Sequence, residues 1–144
     1  VNAANIGTHN IRKYHDINCL IINESELRHE LRQRDGDAEE MAAVLKNMVN
    51  STYIVVTQGK EGAFLINGDK ANQRSPGFAS QVIDKIGSGD ALLAILSLCL
   101  YNNLDEKLSL FIGSLAAGQS VETVGNSVPV SKTKLLKTIS HLLK

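Results

Sequence analysis

Two short runs, "INCLIIN" at residues 17–23 and "YIVVT" at residues 53–57, constrain the fold of this chain more than any other feature. Neither alternates polar with apolar residues. A strand with one face in water shows that alternation, whereas a strand covered on both faces reads as a continuous apolar, β-branched run. Between the two runs lie segments with helical signals. "ESELRHELRQR" places Leu27 and Leu31 four residues apart and breaks near Gly36. Residues 37–50 then open with Asp37 as an N-cap and acidic residues in the first turn. Doubly covered strands alternating with helices predict an α/β sheet with helices on its faces.

The rest of the chain continues that pattern. After "YIVVT" come "QGKEG" as a Gly-bounded turn and "AFLI" as a further strand, and Asn67-Gly68 is a hairpin signal. "KANQRSPGFASQVID" is expected to hold one or two shorter strands, interrupted at Pro76-Gly77. Helices are predicted over residues 89–103, 105–121 and 131–143, with a short amphipathic helix over 5–14. No repeat, low-complexity segment or internal linker interrupts the 144 residues, a length that suits one compact domain. The chain opens at Val1 rather than Met, which reads as a processed product or as a piece of a longer protein.

Charge and apolar content exclude several function classes. Lys+Arg and Asp+Glu each total 15, so no global field favours nucleic acid or a membrane surface. No apolar run approaches the ~20 residues of a membrane span, and no signal-peptide pattern opens the chain. Cys19 and Cys99 both lie in apolar runs and read as buried thiols of a reducing compartment, so the cytoplasm is the expected location.

Ligands of α/β sheets gather at the carboxyl ends of the strands. Three polar motifs are expected at strand ends: Asn23–Glu26, Thr57–Gly62 and Gly87–Asp90. In "GSGD", glycines let the backbone turn sharply where a helix begins, and a helix N-terminus offers N–H groups and partial positive charge. Together they form a cup for an anion, with Asp90 on its rim. A carboxylate there would repel the anion unless it has a separate task. The plain alternative is a turn with Asp90 as a helix cap. The motif is not a P-loop, since no lysine follows Gly89 in the required place, and Leu92 stands where a dinucleotide fingerprint needs glycine. If a phosphoryl group is transferred at the cup, its charge develops against the N–H groups of Gly87 to Asp90. Asp90 then faces the nucleophile and accepts the proton of the attacking hydroxyl.

The other two motifs each have a structural and a functional reading. Asn23 and Glu26, three apart, match a helix capping box. They also match an amide and a carboxylate that orient waters on Mg²⁺, an ion that needs only one or two carboxylates. "VTQGKEG" reads as a plain hairpin turn, or as a turn whose backbone and Thr57 hydroxyl approach phosphates closely. His9, His15, His29 and His141 have no zinc-ligand spacing, and Ser88 lies outside any nucleophile elbow.

"VIDKIGSGDALLA" resembles the signature of ribokinase-like (PfkB-type) carbohydrate kinases, commonly Asp-Thr-Thr-Gly-Ala-Gly-Asp-x-Phe. "NESE" is similar to that family's Asn-x-x-Glu motif and "VTQGKEG" to its Thr-x-Gly-x-x-Gly turn. "SLAAGQSVETVGNSVPVS" resembles the late segment in which an Ala-rich helix and a Val-Gly turn flank the adenine. The four occur in the family's order over essentially the whole chain. "NAANIG" and "NESELR" look most like the sugar-phosphate kinases of the ADP-heptose synthase type.

The resemblance implies the C-terminal half of a ribokinase-like sheet covered by helices, and the nucleotide-binding, catalytic-base part of the enzyme. It implies Asp90 as catalytic base, Gly87, Ser88 and Gly89 as anion hole, and Thr57, Gly59 and Gly125 as nucleotide-binding residues. Asn23 and Glu26 would serve Mg²⁺, the latter through water, and Asp84 would help hold a monovalent cation such as K⁺. ATP and a small sugar or sugar phosphate are the implied partners, and a homodimer is compatible with them. Lys85 and Ile86 replace the two threonines of the signature and Leu92 its Phe, which bears on cation dependence and adenine packing. Family members run to about twice this length, so the chain alone is expected to be inactive. Two classes of function follow: an ATP-dependent sugar kinase represented by its C-terminal part, or a non-catalytic nucleotide-binding or interaction module built on the same half-fold.

Overall fold

The two continuous apolar runs are strands, and they pair with each other. β1 (Cys19–Asn23) and β2 (Tyr53–Thr57) lie parallel, from Cys19 opposite Tyr53 to Asn23 opposite Thr57. A computed structural model describes residues 1–3, 11–68, 70–79, 81–124 and 127–142, which divide into two compact units, 1–74 and 75–144. The first unit carries a sheet in the order β1-β2-β3-β4, with β3 (Ala63–Ile66) antiparallel to β2 and β4 (Gln73–Ser75) ending at the unit boundary. Alongside β1, Asn2 makes a parallel bridge to Ile21. The Ile21 N–H donates to Val1 O at 2.8 Å and the Ala3 N–H to Ile21 O at 2.9 Å, which occupies that edge of the sheet.

Alternation along the strands explains why their sequences are apolar throughout. Leu20, Ile22, Ile54, Val56, Phe64 and Ile66 point to one face and join a core with Leu27, Met41, Ala42 and Leu45. Those four come from α1 (Glu24–Leu31) and α2 (Ala38–Met48), the helices that connect β1 to β2. Ile21, Val55 and Leu65 point the other way and are also buried, each at most 1% exposed. With both faces covered, period-2 patterning disappears from the sequence. α2 starts as expected, with the Asp37 carboxylate accepting from the N–H groups of Glu39 and Glu40 at 2.8 and 3.0 Å. Glu39 in turn pairs with Arg74, whose guanidinium lies 5.5 Å from the centre of the Phe64 ring, tying β4 to the helix layer.

The second unit is built from α3 (Ser88–Tyr101), α4 (Glu106–Ser120) and α5 (Lys132–Leu142). α3 and α4 approach closely at Gly113, where an added Cβ would sit 2.9 Å from Leu92 Cδ1 and 3.2 Å from Leu96 Cβ. A side chain there would require Leu92 and Leu96 to shift. Phe78 packs edge-to-face on Phe111, ring centres 5.3 Å apart. Gln119 accepts from the Ser131 N–H at 3.1 Å, which fixes the start of α5 relative to α4.

Several expectations are corrected. The residues before Gly87 are loop rather than strand: the N–H groups of Ile83 and Asp84 both donate to the single carbonyl of Val121 instead of to a strand ladder. Asn67-Gly68, read as a hairpin signal, does open the connection between two neighbouring strands, β3 and β4, though that connection is longer than a two-residue turn. Cys19 is buried, whereas Cys99, in the C-terminal part of α3, is only half-buried. Of the amphipathic helix expected over 5–14, residues Ile11–Lys13 form a 3₁₀ turn and residues 4–10 lie outside the described residues.

The core predicts its own energetics. Leu45 is fully buried between α2 and the sheet, so Leu45→Ala should lower the unfolding free energy by about 2–5 kcal/mol. Neighbouring Val44 is 52% exposed, and Val44→Ala should change it by less than ~0.5 kcal/mol. Urea unfolding of both variants checks this; equal effects would contradict the assignment of the buried face.

Candidate active site

In the first unit the parallel register sets the site. Because Asn23 and Thr57 are partners at the carboxyl ends of adjacent strands, the residues that follow each of them lie side by side. After Asn23 the chain enters α1 at once. The Asn23 side chain accepts from the Glu26 N–H at 2.8 Å, and Glu26 Oε2 accepts from the Asn23 N–H at 3.0 Å. This is a complete capping box, so the structural reading of that motif is realised. After Thr57 the chain makes a tight 3₁₀ turn, Gly59–Glu61, between Gln58 and Gly62. Gln58 N–H donates to Gly62 O at 2.7 Å, and Gly59 adopts φ +61°, a left-handed conformation that suits glycine.

A third set of side chains joins the two motifs. Glu24 Oε2 accepts from Gln58 Nε2 at 2.9 Å, and Glu24 Oε1 accepts from Arg28 Nη2 and Nε at 2.6 and 3.0 Å. Arg28 also donates to the carbonyls of Arg34 and Gly36, which holds the loop after α1. Charge patterning identifies the Glu24–Arg28 pair, four apart with Glu first. Nothing in the sequence identifies Gln58 as its third member, because the contact spans 34 positions.

In the second unit, Gly87 is the N-cap of α3 with φ +83°, and Ser88, Gly89 and Asp90 are its first three helical residues. The first helix bond runs from the Ala91 N–H to Gly87 O at 3.0 Å. Gly89 therefore lies in the turn where the helix itself supplies no acceptor. Ser88 turns back on the preceding loop: its N–H and hydroxyl reach Lys85 O at 3.4 and 3.0 Å. Asp90 is exposed. Asp84 Oδ1 accepts from the Ile86 N–H at 3.0 Å, closing the turn that leads into Gly87. Gly125, the remaining nucleotide-binding expectation, lies outside the described residues.

The electrostatics of the two glutamates differ. The hydrogen bond from Gln58, with those from Arg28 and the Arg28 charge, holds the Glu24 carboxyl below its ordinary 4.5. Burial pushes Glu26 the other way, against the hydrogen bonds it shares with Asn23. Among the described residues no group of three His, Cys, Asp or Glu side chains could cage a metal ion. The chemistry of Asn23 and Glu26 fits a Mg²⁺ ion that keeps most of its waters, and not a closed protein cage.

Comparison with known proteins identifies the class. The family model described as pfkB family carbohydrate kinase matches residues 8–133, and the chain belongs to that family. It is 29% identical to the bifunctional protein HldE of Magnetococcus marinus over 118 residues, which is 80% of this chain and 24% of that protein. Its fold is ribokinase-like. Ribokinase from Thermotoga maritima superposes with a TM-score of 0.81 at 18% identity, covering 96% of this chain and 48% of that one. Arabidopsis thaliana ribokinase, solved with ribose and ATP, gives 0.79 at 21% identity over 94% of this chain and 45% of that one. The chain thus spans about half of these ribokinases and about a quarter of the HldE protein.

The depressed Glu24 carboxyl has a testable consequence. A group whose folded value lies below its unfolded value adds stability that is complete above the unfolded value and is lost as pH falls through the folded one. Glu24 should therefore stabilise the fold fully above about pH 4.5 and progressively less below it. Glu24→Gln should remove that part of the acid sensitivity, so the melting temperatures of wild type and variant converge as pH falls. Parallel curves over the same range would contradict the role given to Gln58 and Arg28.

Proposed function

We propose that this chain is the nucleotide-binding and general-base part of an ATP-dependent kinase that phosphorylates a hydroxyl of a sugar or sugar phosphate. The observation that carries the reading is the left-handed Gly87 opening α3 with Asp90 as the third helical residue, in a chain of the pfkB family. Gly87, Ser88 and Gly89 would receive the charge that develops on the transferred phosphoryl group, aided by the α3 dipole. Ser88 does so in competition with Lys85 O, so Gly89 and Gly87 carry more of that task. Exposed Asp90 would take the proton of the attacking hydroxyl.

Thr57, Gly59 and Gly125 would line the nucleotide, the first two from the end of β2 and its turn. Mg²⁺, when bound with the nucleotide, would neutralise phosphate charge. Asn23 and Glu26 would hold it through water from the end of β1. Asp84, fixed in its turn by the Ile86 N–H, is the candidate for a monovalent cation such as K⁺. The A. thaliana ribokinase solved with ribose and ATP supports this reading by likeness of fold.

Rate enhancement in phosphoryl transfer comes from positioning and charge stabilisation, and no motif of this chain reads as a polar sugar pocket. The 144 residues alone should therefore bind ATP·Mg²⁺ weakly and phosphorylate no sugar. Calorimetric titration followed by a kinase assay on a sugar and sugar-phosphate panel tests this. In a longer polypeptide that also carries a sugar pocket, Asp90→Asn should cut turnover by ~10²–10⁴ while nucleotide affinity is kept. Near wild-type turnover would remove Asp90 from the mechanism. Absence of nucleotide binding at millimolar concentration would favour a non-catalytic interaction module.

A further inference from the structure

We infer that Glu24 and Gln58 are positioning residues: the Glu24 carboxylate, clamped by Arg28, anchors the Gly59–Gly62 turn through Gln58 and thereby sets nucleotide affinity. The inference rests on the nucleotide-binding reading above and deepens it. Three observations carry it. First, Asn23 and Thr57 are register partners, so Glu24 and Gln58 leave adjacent parallel strands together. Second, the Gln58 amide spans the two strand ends, donating to Glu24 Oε2 at 2.9 Å, while Glu24 Oε1 is occupied by Arg28 at 2.6 Å. Third, Gln58 is also the backbone hub of the turn. Its N–H donates to Gly62 O at 2.7 Å and its carbonyl accepts from the Glu61 N–H at 3.3 Å.

The arrangement fixes direction as well as distance. Arg28 cannot swing away without releasing the Arg34 and Gly36 carbonyls, so the Glu24 carboxylate is held from both sides. A turn with two left-handed glycines, Gly59 at φ +61° and Gly62 at +94°, has few side-chain contacts of its own to keep it in place. Gln58 supplies that tether. Neither residue is placed against phosphate or metal; both act through the backbone of the turn beside Thr57.

The test uses this chain with Gln58→Met, which removes the donor while keeping the side chain's length and the Glu24–Arg28 pair. Amide exchange of Glu61 and Gly62 should accelerate, and ATP·Mg²⁺ affinity should fall by about 5–10-fold, the size expected for one typical hydrogen bond. The melting temperature should fall only slightly above about pH 4.5, because one partly exposed hydrogen bond is lost and the core is untouched. The exchanged pair Glu24→Gln/Gln58→Glu, which reverses donor and acceptor, should recover slow exchange and most of the affinity. If exchange of Glu61 and Gly62 is unaltered in Gln58→Met, the anchor does not exist and the inference is overturned whatever the affinity. If wild type binds nucleotide and the variant binds it equally, the inference falls and the nucleotide-binding reading stands. If wild type binds none, that reading falls and takes the affinity claim with it, while the exchange rates still decide the anchor.

Discussion

The in-register parallel pairing of β1 and β2 is the constraint on which the first unit depends. Pairing Asn23 with Thr57 ends both strands at the same level, so a helix and a Gly-bounded turn begin side by side. A slip of β1 by one residue against β2 would turn Ile21 to the α1–α2 face and take Leu20 and Ile22 away from it. The register is thus held by the same burial that makes the strand sequences uniformly apolar. It also brings Glu24 within hydrogen-bonding distance of Gln58, 34 positions away.

The second unit solves a different problem, which is to present a helix N-terminus cleanly. Ile83 and Asp84 hang from Val121 O, Asp84 closes its own turn on Ile86, and Gly87 takes the left-handed conformation that lets α3 start abruptly. Gly113, further along, lets α4 lie close against Leu92 and Leu96 and so braces α3 from behind. Gly87 serves a positive φ that favours glycine, and Gly113 a close contact with Leu92 and Leu96.

Much of this was legible in the sequence, for identifiable reasons. The strands announced themselves through β-branched runs, the α1 start through Asn23 and Glu26 three apart, and the α2 start through Asp37. The resemblance to ribokinase-like kinases agrees with the family match over residues 8–133 and with the fold of the T. maritima ribokinase. What stayed hidden depends on contacts distant in sequence. "QVIDKI" looks like a strand until Val121 O takes the N–H groups of Ile83 and Asp84. Cys99 sits in an apolar run yet is only half-buried, which the run alone does not reveal. The Glu24–Gln58 bond has no local signature at all, because a glutamine beside a glycine turn is ordinary in any loop.

The central claim is that the start of α3 is a phosphate-binding element. Backbone amide resonances of Gly87 and Gly89, followed by NMR while the chain is titrated with ATP·Mg²⁺, test it most directly. Both should shift saturably with one dissociation constant, and AMP, lacking the terminal phosphates, should move them far less. Unmoved Gly87 and Gly89 resonances at nucleotide concentrations that saturate shifts elsewhere in the chain would contradict it.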